Sequence, residues 1–491
     1  MSRKNGGIIG PANTPVGGLF KGVAGGVWRM NDVANFVSNS QWPSGPQSID
    51  NSCRFDDGST DNLSKTFSAS NRRTFTFSTW IKRGDQSANQ SLFSARTDSS
   101  NYATIRIESN GKFHIFDIAT SFQYQIKTNR VLRDNSAWYH LVVAFDSTQA
   151  TASNRIKMYV NGQQETSLAE SSYPSENYQS FFNNNLTHYV GLGGNAGDAY
   201  DGYMAEVVFI DGQALDPTSF GEFDTTTGIW KPKKIGAFAS AGTNSFYLDF
   251  KDSSNVGKDA SGLSNNFTVN NLTSIDQSTD TCVENFCTLN PLVTTSNATF
   301  SEGNLKLVGS SSSAFNNRSQ GTFGVQSGKW YFEIEFDSIS ATSPTIGIGR
   351  IDRSASDNPT GSNAGDVCIR ADNEKYDEGS SSASYFSSSI SAGNIIGVAL
   401  DMDNGKVWFS RNGTFVGTVG SSGQAATFTV GNGVTITPTV RPIDGTLICN
   451  FGNSPVAISS GNSDANGFGN FEYAVPSGYY ALNTSNLNTY G

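Results

Sequence analysis

From Thr74 the chain reads Thr-Phe-Thr-Phe-Ser-Thr-Trp80, alternating polar and apolar positions with period 2, and Thr104-Ile-Arg-Ile-Glu108 repeats the pattern. Such alternation predicts strands with one buried and one wet face. Asn110-Gly111 separates two such runs, and Asn161-Gly162 follows Ile156-Lys-Met-Tyr-Val160. Asn-Gly pairs between alternating runs predict tight hairpins. The same grammar returns in Lys329-Trp-Tyr-Phe-Glu-Ile-Glu-Phe336, Thr345–Gly349, Ile395–Asp401 and Lys406–Arg411, with Asn404-Gly405 and Asn412-Gly413 flanking the last run. The expected class is all-β: two β-sandwiches in tandem, over 48–227 and 292–453. Phe77, Trp80, Trp138 and Phe145 are expected to point into the first core. Trp330, Phe336, Trp408 and Phe451 are expected in the second.

The remaining segments read differently. Residues 1–47 show neither period, and Gly and Pro punctuate them every few positions. They nevertheless carry Ile8, Ile9, Phe20, Val27, Trp28, Phe36 and Trp42. A free tail has no use for these, so an extended arm that buries them on another surface is expected, with folding onto its own chain as the plainer alternative. Residues 228–291 are too apolar for a flexible linker and predict a connector packed between the sandwiches. Residues 454–491 form a C-terminal extension.

Composition narrows the classes. The formal net charge of the 491 residues is −10, which opposes nucleic-acid binding. Charged residues are only 15 % of the chain, so its polarity comes from Ser, Thr, Asn, Gln and Gly, and charge-driven disorder is not expected. Five cysteines, odd in number and widely spaced, do not read as a disulfide scaffold. Met1-Ser-Arg-Lys is not followed by an apolar signal core, and no run approaches the ~18 apolar residues of a membrane span.

Several of these runs also carry resemblances. Phe75-Thr-Phe-Ser-Thr-Trp80-Ile-Lys, Trp138-Tyr-His-Leu-Val-Val-Ala-Phe-Asp146, Met158-Tyr-Val-Asn-Gly162 and Asp201-Gly-Tyr-Met-Ala-Glu206-Val resemble successive strands of laminin-G-like, concanavalin A-like jelly rolls. The run opening at Gly328-Lys-Trp330, with Thr437-Pro-Thr-Val-Arg441-Pro and Ile448-Cys-Asn-Phe-Gly452, resembles a SPRY domain. The whole order, with the arm, Asn285-Phe-Cys-Thr-Leu-Asn-Pro291 and the closing Gly467–Leu482, resembles virion structural or appendage proteins of phages of marine bacteria. That resemblance implies a tail fibre, capsid fibre or similar appendage, made in the host bacterial cytoplasm and residing in the virion. Its arm would contact other virion proteins through Ile8, Ile9, Phe20, Trp28 and Trp42. It would form a homo-oligomer, with a trimer favoured, and recognise a host-surface glycan or protein. Membrane insertion and catalysis are not expected. A decoration protein without ligand and a glycan depolymerase are the alternatives.

Candidate chemistry is sparse. Glu333-Ile-Glu335-Phe-Asp337 puts three carboxylates on one strand face, similar to the acidic ladder of laminarinase-type hydrolases. A solvated outer face is the preferred reading, with no catalytic residue assigned. Gly191-Leu-Gly193-Gly-Asn-Ala196 fits a dinucleotide fingerprint but lacks the following helical pattern. Asn195, Asp198 and Asp201 offer oxygen ligands for Ca²⁺, and turn formation accounts for them equally well. No other cofactor is indicated. His114, His140 and His188 lack zinc spacing, as do Cys282 and Cys287. For glycan contact, aromatic faces beside hydroxyl-bonding groups are needed. Tyr173, Tyr178, Tyr200, Asp201, Tyr203, Tyr376 and Tyr385 are the candidates.

Overall fold

The computed structural model describes residues 49–491, apart from 85, 237, 239–240, 294–297, 310–317, 341–343, 355–363, 379, 383, 422–425 and 429–432. The candidate anchors Ile8, Ile9, Phe20, Trp28 and Trp42 lie outside the described residues.

The first sandwich has two sheets. One runs in the order Gln163–Gln164, Ile156–Val160, Trp138–Asp146, Thr74–Arg83, Gly202–Asp211, Ser52–Phe55 and Gln277–Ser278. The other runs Leu168–Ser172, Ser121–Val131, Lys112–Ala119, Asn101–Ile107, Gln90–Asp98, Thr187–Val190, Asn62–Thr66 and Thr268–Asn270. The segment 228–291 thus adds an edge strand to each sheet. Phenylalanine fills the space between them: Phe75 stacks on Phe145 at 4.6 Å and Phe77 on Phe93 at 5.2 Å.

Trp80 and Trp138, expected in this core, lie on the outer face of their sheet. The reason is parity. Phe75, Phe77 and Ile81 occupy the inward positions of their strand, and Trp80, three residues beyond Phe77, must face the other way. Trp138 differs from Phe145 by an odd number in the same manner. These outward indoles are nonetheless covered, by Ile49, Trp230 and Cys282.

The second sandwich pairs a sheet ordered Ala298–Ser301, Lys306–Gly309, Gly445–Asn450, Lys329–Ile339, Asn394–Asp401, Lys406–Arg411, Thr414–Phe415 with a sheet ordered Ser319–Gln320, Ile436–Arg441, Thr345–Arg350, Val367–Arg370, Lys375–Asp377, Ser380–Ser382. Trp330, Phe336 and Phe451 lie in its core. Trp408 does not: it sits between the inward Val407 and Phe409, faces outward, and packs with Tyr331, Phe286, Phe471 and Tyr479 beneath the C-terminal extension. That extension ends in the helix Thr484–Tyr490, and no helix among the described residues is long and apolar enough to cross a membrane.

Buried charges join the two sandwiches. Arg54, 1 % exposed, donates to Asp276 (3.0 Å), to Glu302 (3.1 Å) and to the carbonyl of Pro455 (3.3 Å). The Tyr203 hydroxyl donates to the carbonyl of Gly303 at 3.2 Å, and Ser278 donates to Asn453 at 2.6 Å.

Candidate functional site

Among the described residues, the covering of the outward indoles in the first sandwich is incomplete. It leaves a cleft of about 610 Å³ whose floor is Trp80, Trp138 and Trp230. Trp230 comes from a hairpin in which Gly221–Phe223 pairs with Trp230–Pro232. The hairpin lies close over the sheet because Gly162 has no side chain: a Cβ there would stand 2.3 Å from the Trp230 ring. Gly162 also supplies a positive φ, with Asn161, in the Asn-Gly turn (77° and 49°), so one glycine serves turn and cleft together.

Most of the buried polar groups beside the cleft are already engaged. Trp230 donates its indole N–H to Nδ1 of His140 at 3.0 Å. This leaves the His140 proton on Nε2, which donates to the Ser78 hydroxyl at 2.9 Å. Burial lowers the His140 pKa to about 3, so the ring is a neutral hinge between the two groups. Trp138 donates to Asp280 (3.1 Å), and Asn161 accepts from the His140 backbone N–H (2.8 Å). Asn285 donates to the Ser136 carbonyl and accepts from Lys82, and Arg130 pairs with Glu165. The rim is open and carries three exposed apolar residues, Ile229, Val283 and Phe223, at 65, 46 and 45 %, beside the exposed side chains of Arg130 and Gln163. The buried polar groups offer a pyranose few unengaged partners, and the indole floor with its apolar rim residues favours an apolar chain segment.

Residues 57–219, which contain the cleft's Trp80 and Trp138, match the family described as the concanavalin A-like lectin/glucanases superfamily. Residues 329–439 match the SPRY domain family. The chain carries a concanavalin A-like domain followed by a SPRY domain. No curated protein matches it. Among solved structures, the SPRY domain of human HERC1 is 18 % identical over 33 % of this chain and 96 % of its own, with a TM-score of 0.26. A putative carbohydrate-binding protein from Bacteroides ovatus is 18 % identical over 47 % of this chain and 60 % of its own, with a TM-score of 0.31. The heptameric SAP-like pentraxin of Limulus polyphemus is 16 % identical over 41 % and 94 %, with a TM-score of 0.28.

The candidate glycan residues are scattered over both domains. In the concanavalin A-like domain, Tyr200, Asp201 and Tyr203 are fully buried and present no ring face or oxygen to a ligand. Tyr200 donates to the carbonyl of Lys82, and Tyr203 is spent on the junction with the SPRY side. An alternating Tyr-Asp-Gly-Tyr loop is indistinguishable in sequence from a strand entry, which is what it is. Tyr173 and Tyr178 are half-buried against the core, with the Tyr178 hydroxyl 3.3 Å from Asp117. In the SPRY domain, Tyr376 accepts from Arg370 (2.8 Å) and Tyr385 accepts from the Phe409 N–H (3.3 Å), both half-buried.

The calcium candidates have other partners. Asp198 pairs with Arg106 at 2.9 Å, Asn195 accepts from the Gly197 N–H at 3.0 Å, and Asp201 is buried against Gly84. No group of three or more His, Cys, Asp or Glu among the described residues is placed to hold a metal.

The acidic ladder also departs from expectation. Glu333 is 2 % exposed, not solvated. It accepts from the backbone N–H groups of Glu472 (2.9 Å) and Tyr473 (2.8 Å) and from the Tyr331 hydroxyl (2.9 Å). Burial raises its pKa, and the donors hold it down. The carboxylate is a clamp for the C-terminal extension. Asp337 is exposed and Glu335 half-buried, as an outer face requires.

Sequence reasoning missed the cleft because its walls come from positions near 80, 138, 163, 229, 283 and 484. The one local signal was a pair of apolar residues, Phe223 and Ile229, flanking the turn Asp224–Gly228.

Proposed function

We propose that this chain is a non-enzymatic recognition and assembly protein of a phage virion, attached through its N-terminal arm and displaying a concanavalin A-like and a SPRY domain as one body. The observation that carries the recognition part is the cleft. An indole floor, three exposed apolar rim residues and buried polar groups that are mostly engaged make a groove for an extended apolar segment. Both domains are compatible with protein or carbohydrate binding. The half-buried rings of Tyr173, Tyr376 and Tyr385 are the places where a host-surface glycan or protein would touch. The virion part is supported by the order of arm, sandwiches and extension. Identical copies, three in the favoured arrangement, would gain avidity from weak individual contacts. Catalysis has no support in a strand whose most buried carboxylate is committed to backbone donors.

Antibody raised against the whole chain, applied to intact particles with gold detection, tests the reading. Surface labelling is expected, and removal of residues 1–46 should abolish incorporation while the sandwiches stay folded. The double change Phe223→Ser/Ile229→Asp should lower incorporation without unfolding the chain. Unlabelled particles, or normal incorporation of both variants, would overturn the reading.

A further inference from the structure

The cleft lies where the described chain begins. Ile49 is 4 % exposed and sits in the cluster formed with Trp80, Ala205 and Trp230, against Trp138 and Cys282. Trp80, Trp138, Trp230 and Cys282 of that cluster also line the cleft. Ile49 therefore belongs to the apolar cluster that the cleft exposes.

We propose that the occupant of the cleft is the base of the arm of the same chain, residues 36–48, with Trp42 as its anchor. This rests on the reading of the cleft as a groove for an apolar segment. Three features favour this occupant. Trp42 lies seven residues before Ile49, a reach of at most about 24 Å for an extended chain. The segment is tethered at Ile49, so its effective concentration at the cleft exceeds that of a segment of another protein. Residues 33–49 carry no charge, matching a rim made of Ile229, Val283 and Phe223. Pro43 and Pro46 remove two backbone donors and favour an extended backbone. That suits a groove most of whose buried donors and acceptors are engaged. Tethering the base would leave the distal residues, with Ile8, Ile9, Phe20 and Trp28, to reach a virion neighbour.

Cys282 provides the test. It lines the cleft, and alone of the five cysteines it is not buried. Ser38→Cys, Ser40→Cys and Ser44→Cys are made singly in the full chain, with Asn13→Cys as the distant control. Oxidation is run near pH 9, because burial raises the Cys282 thiol, and the disulfide is located by peptide mass mapping. At least one of the three should link to Cys282 within a single chain, tenfold faster than the control. Trp42→Ala in that variant should return the rate to the control's. Rates equal to the control at all three positions, or a link found only between chains, would overturn the proposal. If the links fail while Phe223→Ser/Ile229→Asp still lowers incorporation, the groove is real and its occupant is a different segment. If that double change is also silent, the groove reading itself falls.

Discussion

Lys82 stands on the outer face of the strand Thr74–Arg83 with no solvent exposure, and all three of its ammonium protons have acceptors. They go to Asp280 at 2.7 Å, Asn285 at 2.8 Å and the carbonyl of Phe286 at 2.7 Å. Asp280 accepts in addition from Trp138 at 3.1 Å and the Phe286 N–H at 3.3 Å. This pair ties the turn 280–286 to the first sandwich, and the chain then passes directly into the second. Lys82→Met keeps the stem's volume and deletes the charge, leaving the Asp280 carboxylate buried without its cation. Breaking a buried pair from one side typically costs about 3–5 kcal/mol, a large part of a domain's usual margin. The double variant Lys82→Met/Asp280→Leu removes the stranded charge and should recover about 2 kcal/mol of the summed single losses. Urea unfolding of the wild type, both singles and the double closes the cycle. Burial already raises the Asp280 pKa. Its protonated form is thus favoured by folding, and the Lys82→Met deficit should shrink as pH falls from 7 toward 4. Proteolysis should open the turn 280–286 first. A loss under about 1 kcal/mol for Lys82→Met, or strict additivity in the cycle, would refute the clamp.

Two further outcomes are expected. Trp408→Ala and Glu333→Ala act on one face: the first removes a buried indole (~3–5 kcal/mol) and the second strands the N–H groups of Glu472 and Tyr473 (~1–3 kcal/mol). Both should release residues 454–481 to protease before the SPRY core opens, and simultaneous loss of the core strands would contradict this. Stability should change little between pH 6 and 4.5 and fall steeply from 4 to 3, read as the urea midpoint. His140 and His188, lowered by burial to about 3, stay neutral when folded, so protons taken up by the unfolded chain below ~6.5 destabilise the fold; Asp117 and Glu206, raised by burial to about 6 and 7, bind protons first in the folded state and oppose that loss until about pH 4. A main loss between pH 6.5 and 5 would show that the acids do not compensate.

The inner faces were legible because period 2 needs no long-range information. Phe75, Phe77, Ile334 and Phe336 read as inward from their own strands, and Asn161-Gly162 and Asn412-Gly413 turn where expected, each with φ positive at both residues. The outer faces were not legible. Alternation distinguishes two faces of a strand but says nothing of what lies over the second. Trp80, Trp138 and Trp408 were therefore drawn to the core by their size. Glu333 was assigned to solvent by its charge, and Lys82 had no assignment at all. In each case the decisive partner is distant in the chain: Trp230 for Trp80, Asp280 for Trp138 and Lys82, Tyr479 for Trp408, Glu472 and Tyr473 for Glu333.

Comparison of the two outer faces gives the cleft its meaning. Each sandwich has one sheet whose outward residues include large aromatics and a buried charge: Trp80, Trp138 and Lys82 in the first, Tyr331, Trp408 and Glu333 in the second. Exposed aromatics of that size cost free energy in proportion to the apolar area left wet, about 25 cal/mol per Å². Each sheet is accordingly roofed by chain from outside its sandwich strands. Over the SPRY sheet the roof is complete: Phe471 and Tyr479 bury Trp408 and Tyr331, and Tyr480–Ala481 adds a parallel strand beside Trp330 and Tyr331. Over the concanavalin A-like sheet the roof is Ile49, Trp230 and Cys282, and it stops short by about 610 Å³. The C-terminal extension completes one roof. By the same logic the proposed occupant of the cleft, the segment upstream of Ile49 that carries Phe36, Val37 and Trp42, would complete the second.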